Sequence, residues 1–287
     1  MIAINDISVT FGTHHVLKKL NFQINEGEII GLVAPNGTGK STLLNVLMNY
    51  VRPTSGTVAF DDLTYQTPKA EKKIHEQITM LPDQGDLYNF LSGRDHLEIY
   101  QKMWHKTSIS PSQVIETLQM SGYIDKKVSA YSLGMRQRLC FAMQIVANTP
   151  YMLMDEVMNG LDPTNVELLS KVLVEKRAEG KAIVIASHLL ENLSHYSDRV
   201  FFLKDGIFIN EIKKDVPSKQ VIKFTLPEKN LTQINGQKIT TLPNGVSFIS
   251  HNETQIAAIL QELHNNGIYE FSIGPISLSD FYSMYFE

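Results

Sequence analysis

The sequence predicts an α/β fold on three observations. An apolar run, Ile29–Val33, leads directly into a glycine-rich loop and then into a segment of helical periodicity. Apolar strands recur downstream, at residues 151–154 and at Ala182–Ala186, and a helical segment that begins at Pro163 separates them. This alternation is typical of a mostly parallel sheet covered by helices, because a crossover between parallel strands needs a helix-length connection.

The other elements of residues 1–215 complete one large domain. Further strands are predicted at residues 3–11, 20–24, 28–33, 57–60 and 78–81. From Ser92 to about residue 120 the hydrophobic period becomes helical, and Pro111 is placed to start a second helix. These signals predict a helical subdomain at about residues 87–138, inserted into the α/β domain.

Residues 216–287 predict a separate, small α/β module. Strands are expected at residues 221–226, 238–242, 246–250 and 269–273, with helices after Asn252 and from Leu278. Asn244-Gly245 predicts a type I′ hairpin between the middle two strands, and Asn252 is expected to cap the first helix. The module has no catalytic motif, so we expect a dimerisation or regulatory role. Its aromatic end is the expected contact surface (Phe281, Tyr282, Tyr285 and Phe286). A passive cover for the large domain is the alternative.

Composition limits the classes of function. The chain has 287 residues, of which 43% are hydrophobic and 20% charged, and its formal net charge is −4. That balance is typical of a globular protein, and the lack of a long basic block argues against a nucleic-acid partner. Cys140 is the only cysteine, which excludes an internal disulfide and a cysteine-based zinc site. No apolar run approaches the ~18 residues of a membrane-spanning helix.

The loop after Ile29–Val33 has the residues of a phosphate site. It reads Ala34-Pro35-Asn36-Gly37-Thr38-Gly39-Lys40-Ser41-Thr42. Its two glycines let the backbone approach an anion closely, and the following helix points its positive end at the same place. Lys40 can reach the β- and γ-phosphates of a nucleotide, and Ser41 can place its hydroxyl on Mg²⁺. An ordinary glycine turn is the alternative for this loop taken alone.

Four further segments resemble, in order and spacing, the motifs of ATP-binding cassette (ABC) proteins. They are Tyr131-Ser132-Leu133-Gly134-Met135-Arg136-Gln137 (signature), Met154-Asp155-Glu156 (end of the Walker B strand), Asn159-Gly160-Leu161-Asp162-Pro163 (D-loop) and Ser187-His188 (switch histidine). The resemblance covers residues 1 to about 206. It implies a P-loop ABC cassette with an antiparallel β-subdomain and a helical subdomain.

The resemblance also implies roles at a catalytic centre. Asp155 is expected to hold Mg²⁺ together with Ser41, and Glu156 to orient and activate the attacking water. Lys40 would hold phosphate, and His188 would contact the γ-phosphate. Without the resemblance, the two carboxylates could be an acidic strand end that caps a helix, and His188 an ordinary surface histidine.

The remaining nucleotide contacts follow from the same resemblance. Phe11 is expected to stack on adenine. Ser132, Gly134 and Gln137 of the signature and Asp162 of the D-loop are expected to act across a dimer, on the ATP held by a second cassette. One chain would then make half of each of two sites. A simple capped helix start is the alternative for the signature.

Two phosphate-side positions depart from the family pattern. Ala34 stands where the loop motif has glycine, and Asp83 stands where the Q-loop glutamine is usual. Asp83 could still ligate Mg²⁺ through oxygen, or Gln84 could take the place of the glutamine after a one-residue shift. The departures predict a slower or asymmetric ATPase.

The implied function is the ATP-binding, ATP-hydrolysing subunit of a membrane transporter, with ATP and Mg²⁺ as ligands. The signature, the D-loop and residues 276–281 most resemble bacterial export cassettes of the bacitracin-resistance and antimicrobial-peptide type. The expected partners are a separate transmembrane permease and a second cassette, and the expected location is the cytoplasmic face of the membrane. The alternative is a soluble ABC-family ATPase of translation, DNA repair or iron–sulfur assembly.

Overall fold

The computed structural model describes residues 1–188, 190–214, 216, 220–227, 231–251 and 253–287. The chain divides into two compact units, Met1–Lys213 and Lys214–Glu287. Each unit has its own sheets and its own hydrophobic clusters. Asn252, the predicted helix cap, lies outside the described residues.

The described part of the first unit contains ten strands and seven helices. The strands are β1 (Ile2–Phe11), β2 (His14–Ile24), β3 (Ile29–Val33), β4 (Ser55–Phe60), β5 (Leu63–Thr64), β6 (Ile78–Met80), β7 (Tyr151–Asp155), β8 (Ala182–Ala186), β9 (Arg199–Lys204) and β10 (Ile207–Lys213). The helices are α1 (Lys40–Leu47), α2 (Pro68–His75), α3 (Gly93–Met103), α4 (Pro111–Thr117), α5 (Leu133–Ala147), α6 (Pro163–Ala178) and α7 (Leu190–Tyr196).

A six-stranded sheet positions the glycine loop. Its strand order is β10-β9-β3-β8-β7-β6, and the strands from β9 to β6 run parallel. Strands β3 and β8 are buried along their whole length, as expected when helices cover both faces. Because β3, β7 and β8 end at the same edge, the loop after β3 meets Asp155 at the end of β7 and Ser187 just after β8.

An antiparallel sheet of order β2-β1-β4-β5 lies at the N-terminal side. Strand β2 begins at His14, six residues before the predicted start at residue 20. Polar residues fill the outward positions of its first half, so the sequence there shows little apolar alternation, while Leu17 points inward and is fully buried. A register shift between the pairs Ile7–Leu20 and Val9–Leu17 further breaks the period of two.

The helical subdomain consists of α3, α4 and the first part of α5. Ser92 starts α3 through a capping box, in which its side chain and that of Asp95 each accept a backbone N–H from the other residue. Helix α5 continues to Ala147, beyond the predicted limit at residue 138, and its second half is buried. There Gln144 donates hydrogen bonds to the carbonyl oxygens of Thr79 in β6 and Leu153 in β7.

The second unit is a four-stranded antiparallel sheet with two helices and a short ribbon. Its elements are β11 (Gln220–Thr225), β12 (Gln233–Ile234), β13 (Gln237–Lys238), β14 (Thr240–Thr241), β15 (Val246–Ser250), α8 (Ile256–Asn265), β16 (Phe271–Pro275) and α9 (Leu278–Phe286). The sheet order is β14-β15-β11-β16, and β12 pairs with β13. Apolar residues of α8 and β11, among them Ile259, Leu263 and Ile222, form one buried cluster.

Two expectations for this unit are wrong in detail. The hairpin before β15 has a three-residue loop, because Leu242 and Val246 bond across it and only Gly245, with φ 86°, is left-handed. This is a turn closed by a glycine bulge, not the type I′ turn that would need positive φ at Asn244 as well. Strand β16 begins at Phe271, two residues later than predicted, because Tyr269 packs edge-to-face on His264 of α8 instead.

Candidate functional site

The glycine loop adopts the backbone that an anion site needs. Gly37 and Gly39 have φ values of 78° and 111°, and α1 begins directly after them at Lys40. A Cβ on Gly39 would lie 2.9 Å from the Leu17 side chain, so only glycine fits there. The N-terminal N–H groups of α1 therefore open onto the loop.

Lys40 lies at the base of the loop. Its Nζ donates to the carbonyl oxygens of Ala34 at 2.6 Å and Pro35 at 3.1 Å, and its side chain is buried. Burial lowers the pKa of this ammonium, while the carboxylates of Glu156 and Asp155 oppose the shift. No carboxylate in the part of the chain that the structure describes lies within ion-pair distance of the Lys40 ammonium, which favours an anionic ligand in the loop.

Ala34 shows why the family's glycine is dispensable here. Its φ is not in the left-handed region, and its methyl group lies in the main hydrophobic cluster of the first unit. Only its carbonyl oxygen faces the site, through Lys40. The departure at this position therefore changes core packing and leaves the loop backbone as the motif requires.

We expect Ala34→Gly to lower the free energy of unfolding by about 1 to 2 kcal/mol, because it removes a buried methyl group and adds chain entropy. The hydrolysis rate should not rise. Thermal unfolding and an ATPase assay of the same preparation check both statements. A faster enzyme would instead support the slower-ATPase prediction made from the sequence.

Ser41 and Asp155 bring a hydroxyl and a carboxylate together across the loop. Ser41 Oγ donates to Asp155 Oδ2 at 2.5 Å. Burial raises the pKa of Asp155, with Glu156 adding to the shift and the Ser41 hydroxyl and Lys40 opposing it. Such hard oxygen donors fit Mg²⁺, which would also offset the cost of burying the carboxylate.

These residues line a single cavity of about 210 Å³. Its walls are Asn36, Gly37, Gly39, Lys40, Ser41, Thr42, Asp155 and Glu156. Among the described residues, no group of three or more His, Cys, Asp or Glu side chains could hold a metal. A cation in this cavity would therefore depend on few protein ligands and on the phosphates of a nucleotide, as Mg²⁺ commonly does.

Glu156 and His188 meet at the mouth of this cavity. Glu156 Oε2 lies 2.9 Å from His188 Nδ1 and also accepts the His188 backbone N–H at 3.4 Å. Glu156 has a left-handed backbone, with φ 51°, and its N–H donates to Ala186 of β8 at 2.8 Å. Two of the three predicted catalytic residues, Glu156 and His188, are thus in direct contact although they are 32 residues apart in sequence.

The signature and the D-loop contact each other within the chain. Ser132 is the N-cap of α5 and accepts the Met135 N–H at 3.3 Å. A Cβ on Gly134 would lie 3.5 Å from the Gly160 carbonyl oxygen, and Gly160 packs on Leu133. Asp162 caps α6 by accepting the backbone N–H of Asn165. Ser132 and Asp162 are exposed, as residues that act on a second cassette would be.

Phe11 and Thr38 lie outside the group that lines the phosphate cavity. Phe11, the last residue of β1, has a side chain that is 52% exposed, and an exposed ring at a strand end is available for stacking. Thr38 donates its hydroxyl to the Pro35 carbonyl oxygen at 2.7 Å, so it stabilises the turn of the loop.

Gln137, predicted to contact nucleotide, has other partners in this structure. Its side chain is 5% exposed, and its amide donates to the carbonyl oxygens of Val157 at 2.9 Å and Glu156 at 3.3 Å. Its Oε1 accepts a hydrogen bond from the Gln84 amide. This hydrogen bond was not predicted from the sequence. A polar residue on the buried side of α5 was the available signal, because buried polar groups are paired.

Asp83 begins a short 3₁₀ turn, Gln84–Asp86, and its Oδ1 accepts the Gly85 N–H at 2.6 Å. Asp83 and Gln84 line a second cavity of about 810 Å³, which Asp155 and Glu156 also border. Asp83 therefore caps the turn, and Gln84 supplies the side-chain amide that donates to Gln137.

This site has the features of a P-loop nucleotide hydrolase. They are a phosphate-binding loop, a buried lysine, and a hydroxyl–carboxylate pair at the end of parallel strands. The ABC transporter family model matches residues 17–159 of this chain. The lantibiotic transport ATP-binding protein SrtF of Streptococcus pyogenes is 31% identical over 75% of this chain and 92% of its own length. The chain belongs to the ABC transporter ATP-binding proteins.

Other relatives and solved structures agree with this assignment. YdbJ of Bacillus subtilis, an uncharacterised ABC transporter ATP-binding protein, is 29% identical over 97% of this chain and 92% of its own length. The bacitracin transport ATP-binding protein BcrA of Enterococcus faecalis is 28% identical over 78% of this chain and 73% of its own. The cassette MJ0796, solved as a dimer in a post-hydrolysis state with ADP and Pi, superposes with a TM-score of 0.65 at 25% identity. It covers 76% of this chain and 100% of its own.

The predicted fold class and function are therefore confirmed. The chain is an ABC cassette with antiparallel and helical subdomains and a small C-terminal module, and it binds and hydrolyses ATP to power transport. The alternative of a soluble ATPase of translation, DNA repair or iron–sulfur assembly is not supported. Within the part of the chain that the structure describes, no helix has the length and apolar character to cross a membrane.

Proposed function

We propose that this subunit powers the export of a peptide, drug or other amphipathic compound through a separate transmembrane permease. The observation that carries the energy-supplying role is the convergence of Lys40, Ser41, Asp155 and Glu156 on one cavity. The names of SrtF and BcrA, which are transport proteins for a lantibiotic and for bacitracin, support the substrate class. Attachment to the permease would place the chain at the cytoplasmic face of the membrane.

Vesicle transport tests the substrate class. The chain and its permease, identified by co-purification from solubilised membranes, are reconstituted together in inside-out vesicles, with ATP and Mg²⁺ outside. We expect ATP-dependent accumulation of a lantibiotic-type or cyclic peptide, absent with the Glu156→Gln chain, and no response to a sugar such as allose. Uptake of the sugar without uptake of peptide would overturn the export proposal.

The residues of the phosphate cavity divide the chemistry among them. Lys40 and the N–H groups of the loop, from Asn36 to Thr42, bind the β- and γ-phosphates. Ser41 and Asp155 would hold Mg²⁺, and Asp83 would contribute a carboxylate oxygen from the wall of the second cavity. When bound, Mg²⁺ neutralises charge on the phosphates. Because burial disfavours the charged form of Asp155, a cation beside this carboxylate would stabilise its ionised form.

Glu156 and His188 act on the attacking water and on the γ-phosphate. Glu156 accepts a hydrogen bond from the attacking water. This bond orients a lone pair of the water oxygen toward the γ-phosphorus, in line with the bond that breaks. His188 Nδ1, 2.9 Å from Glu156 Oε2, orients that carboxylate and places the imidazole beside the terminal phosphate. The left-handed backbone at Glu156 turns the chain, so the consecutive carboxylates point to different places: Asp155 toward Mg²⁺ and Glu156 toward the attacking water.

A second cassette completes each site. Ser132 and Gly134 direct the N-terminus of α5, a helix of 15 residues, at the ATP of the opposing cassette, and Asp162 lies beside them in the D-loop. Phe11 stacks on adenine in its own chain. The exposure of Ser132, Asp162 and Phe11 supports these roles.

The second unit, which contains the predicted module of residues 216–287, is proposed to dimerise through β16. This strand has a neighbour on one side only among the described strands. Phe271 and Ile273 pair with Phe224 and Ile222 of β11 and so share the α8 face, yet they are 42% and 46% exposed. The aromatic residues of α9, in contrast, are half-buried. The contact surface predicted from the sequence is thus less open than the edge of β16.

A second copy of this chain fits the free edge. Antiparallel pairing of two β16 strands about Ser272 sets Phe271 of one copy opposite Ile273 of the other, twice by symmetry. Glu270 then faces Gly274, so no like charges meet. Pro275 ends the pairing because it has no N–H. The contact between the two β16 strands is small. It would act by raising the effective concentration of one cassette near the other.

Ile273→Lys is expected to weaken ATP-independent self-association of the full chain by about tenfold, because a charge at a strand edge opposes strand addition. Ile207→Lys, at the exposed start of the edge strand β10, is the matched control. Sedimentation equilibrium of both variants without nucleotide measures the effect. Equal association constants for the two variants would contradict dimerisation through β16. The unit would then be a passive cover for the large domain.

A further inference from the structure

We infer that Gln84 and Gln137 form a positioning pair that fixes the backbone of Glu156 for hydrolysis. The inference rests on the proposed function of Glu156 as the residue that activates water. Neither glutamine touches the reacting atoms in this role. Both act through the peptide groups on the C-terminal side of Glu156.

Gln137 contacts the turn after β7 directly. Its amide nitrogen donates to the carbonyl oxygens of Val157 and Glu156, at 2.9 and 3.3 Å. At 5% exposure, the side chain has almost no water to replace these bonds. A buried carbonyl that loses its donor costs about 1–3 kcal/mol, so the native position of this turn is strongly preferred while Gln137 is present.

The backbone of Glu156 needs such support. A left-handed φ of 51° is unfavourable for a residue with a Cβ, and it persists only where the surroundings enforce it. The N–H of Glu156 donates to the Ala186 carbonyl oxygen of β8, and its own carbonyl oxygen accepts from the Asn159 N–H at 3.1 Å and from the Gln137 amide at 3.3 Å. The Val157 carbonyl oxygen, one peptide further along, accepts from Gln137 at 2.9 Å. The peptide groups around the catalytic carboxylate are therefore held by β8 on one side, and by Asn159 and by Gln137 of α5 on the other.

Gln84 supports the orientation of the Gln137 amide. Backbone carbonyl oxygens only accept, so the Gln137 nitrogen faces Val157 and Glu156, and its Oε1 is left to accept from the Gln84 nitrogen. Asp83 accepts the Gly85 N–H and so begins the turn that carries Gln84. The Asp83 departure from the family pattern thus has a structural role, and the amide function lies one residue further along the chain.

The test compares Gln137→Met with Gln144→Met, both on α5. Gln144 is also buried and donates to backbone carbonyl oxygens, but those belong to Thr79 and Leu153 rather than to Glu156. We expect Gln137→Met to lower kcat for ATP about 10- to 100-fold with KM within about twofold, because displacements near 1 Å at a catalytic group have effects of this size. Gln144→Met should lower Tm and leave kcat within about twofold.

Two further variants separate positioning from packing. Gln137→Glu keeps the shape but, when ionised, has no hydrogen to donate to the carbonyl oxygens, so at a pH that ionises the new carboxyl group its kcat should fall as in Gln137→Met. Gln84→Met should lower kcat about threefold to tenfold alone and have no added effect in the Gln137→Met chain, since the pair acts as a unit.

The outcomes separate this inference from the proposed function. If Glu156→Gln abolishes hydrolysis while Gln137→Met keeps the kcat of Gln144→Met, the positioning pair is wrong and the role of Glu156 stands. If Glu156→Gln hydrolyses ATP normally, the proposed role of Glu156 fails first. Additive effects of the Gln84 and Gln137 changes would also overturn the pair.

Discussion

Glu156→Gln is expected to lower the rate of ATP hydrolysis by at least about 100-fold, because positioned general bases contribute factors of about 10² to 10⁴. ATP affinity should stay within about threefold. The amide keeps the size of the side chain and its position beside His188, and it loses only the ability to accept the proton of the attacking water. Removing one negative charge near Lys40 and Asp155 should, if anything, favour the phosphates.

The measurement combines ATP binding at equilibrium, single-turnover hydrolysis and sedimentation with ATP and Mg²⁺. The variant should bind ATP, hydrolyse it slowly and accumulate as a nucleotide-bound dimer. Glu167→Gln is the control, since this carboxylate lies on the exposed face of α6 and pairs with Lys171. Turnover like that of the control would remove Glu156 from the chemistry and leave His188 to be tested next.

Local sequence determines the phosphate loop, which is why it could be predicted. Gly37 and Gly39 are required by left-handed backbone within a few residues, and the apolar run before them can form only a buried strand. Ser132 and Asp162 were equally accessible to prediction, because an N-cap depends on the residue and the next turn of helix. Each of these features is encoded within about ten residues.

Features that depend on distant pairing could not be read in this way. The first half of β2 is a strand because β1 pairs with it, although its own outward positions are polar. The contact between Glu156 and His188 needs β7 and β8 to be neighbours in register. The hydrogen bond between Gln84 and Gln137 joins residues that are 53 positions apart, and no local sequence pattern predicts it.

The family pattern misleads where a position has two separable roles. The glycine expected at residue 34 is needed only if its backbone is left-handed or closely packed, and here the Ala34 methyl group packs in the core. At residue 83 the turn cap and the amide are divided between Asp83 and Gln84. The effect of a substitution in a motif therefore depends on which atoms of the usual residue contribute to the site.

Lys40→Met should weaken ATP binding at least about 100-fold, since a charge-assisted hydrogen bond to phosphate contributes roughly 1.5 to 3 kcal/mol and Lys40 can make more than one. Methionine fills a similar volume, and the nearby carboxylates of Asp155 and Glu156 would then face the phosphates without a compensating cation. The loop itself should persist, because its turns depend on Gly37, Gly39 and the Thr38 hydroxyl.

Lys176→Met is the matched control for a buried lysine. Lys176 lies near the C-terminal end of α6, pairs with Glu179 and with Asn148 at the end of α5, and reaches no residue of the phosphate cavity. Both variants lose a buried ammonium, so both should shift Tm by a comparable amount. Only Lys40→Met should lose the rise in Tm that saturating ATP gives the unaltered chain, since that rise reports binding to the native state alone. Equal ATP-induced stabilisation in the two variants would show that the phosphates are held by the loop backbone and the dipole of α1, and that Lys40 serves mainly to link Ala34 and Pro35.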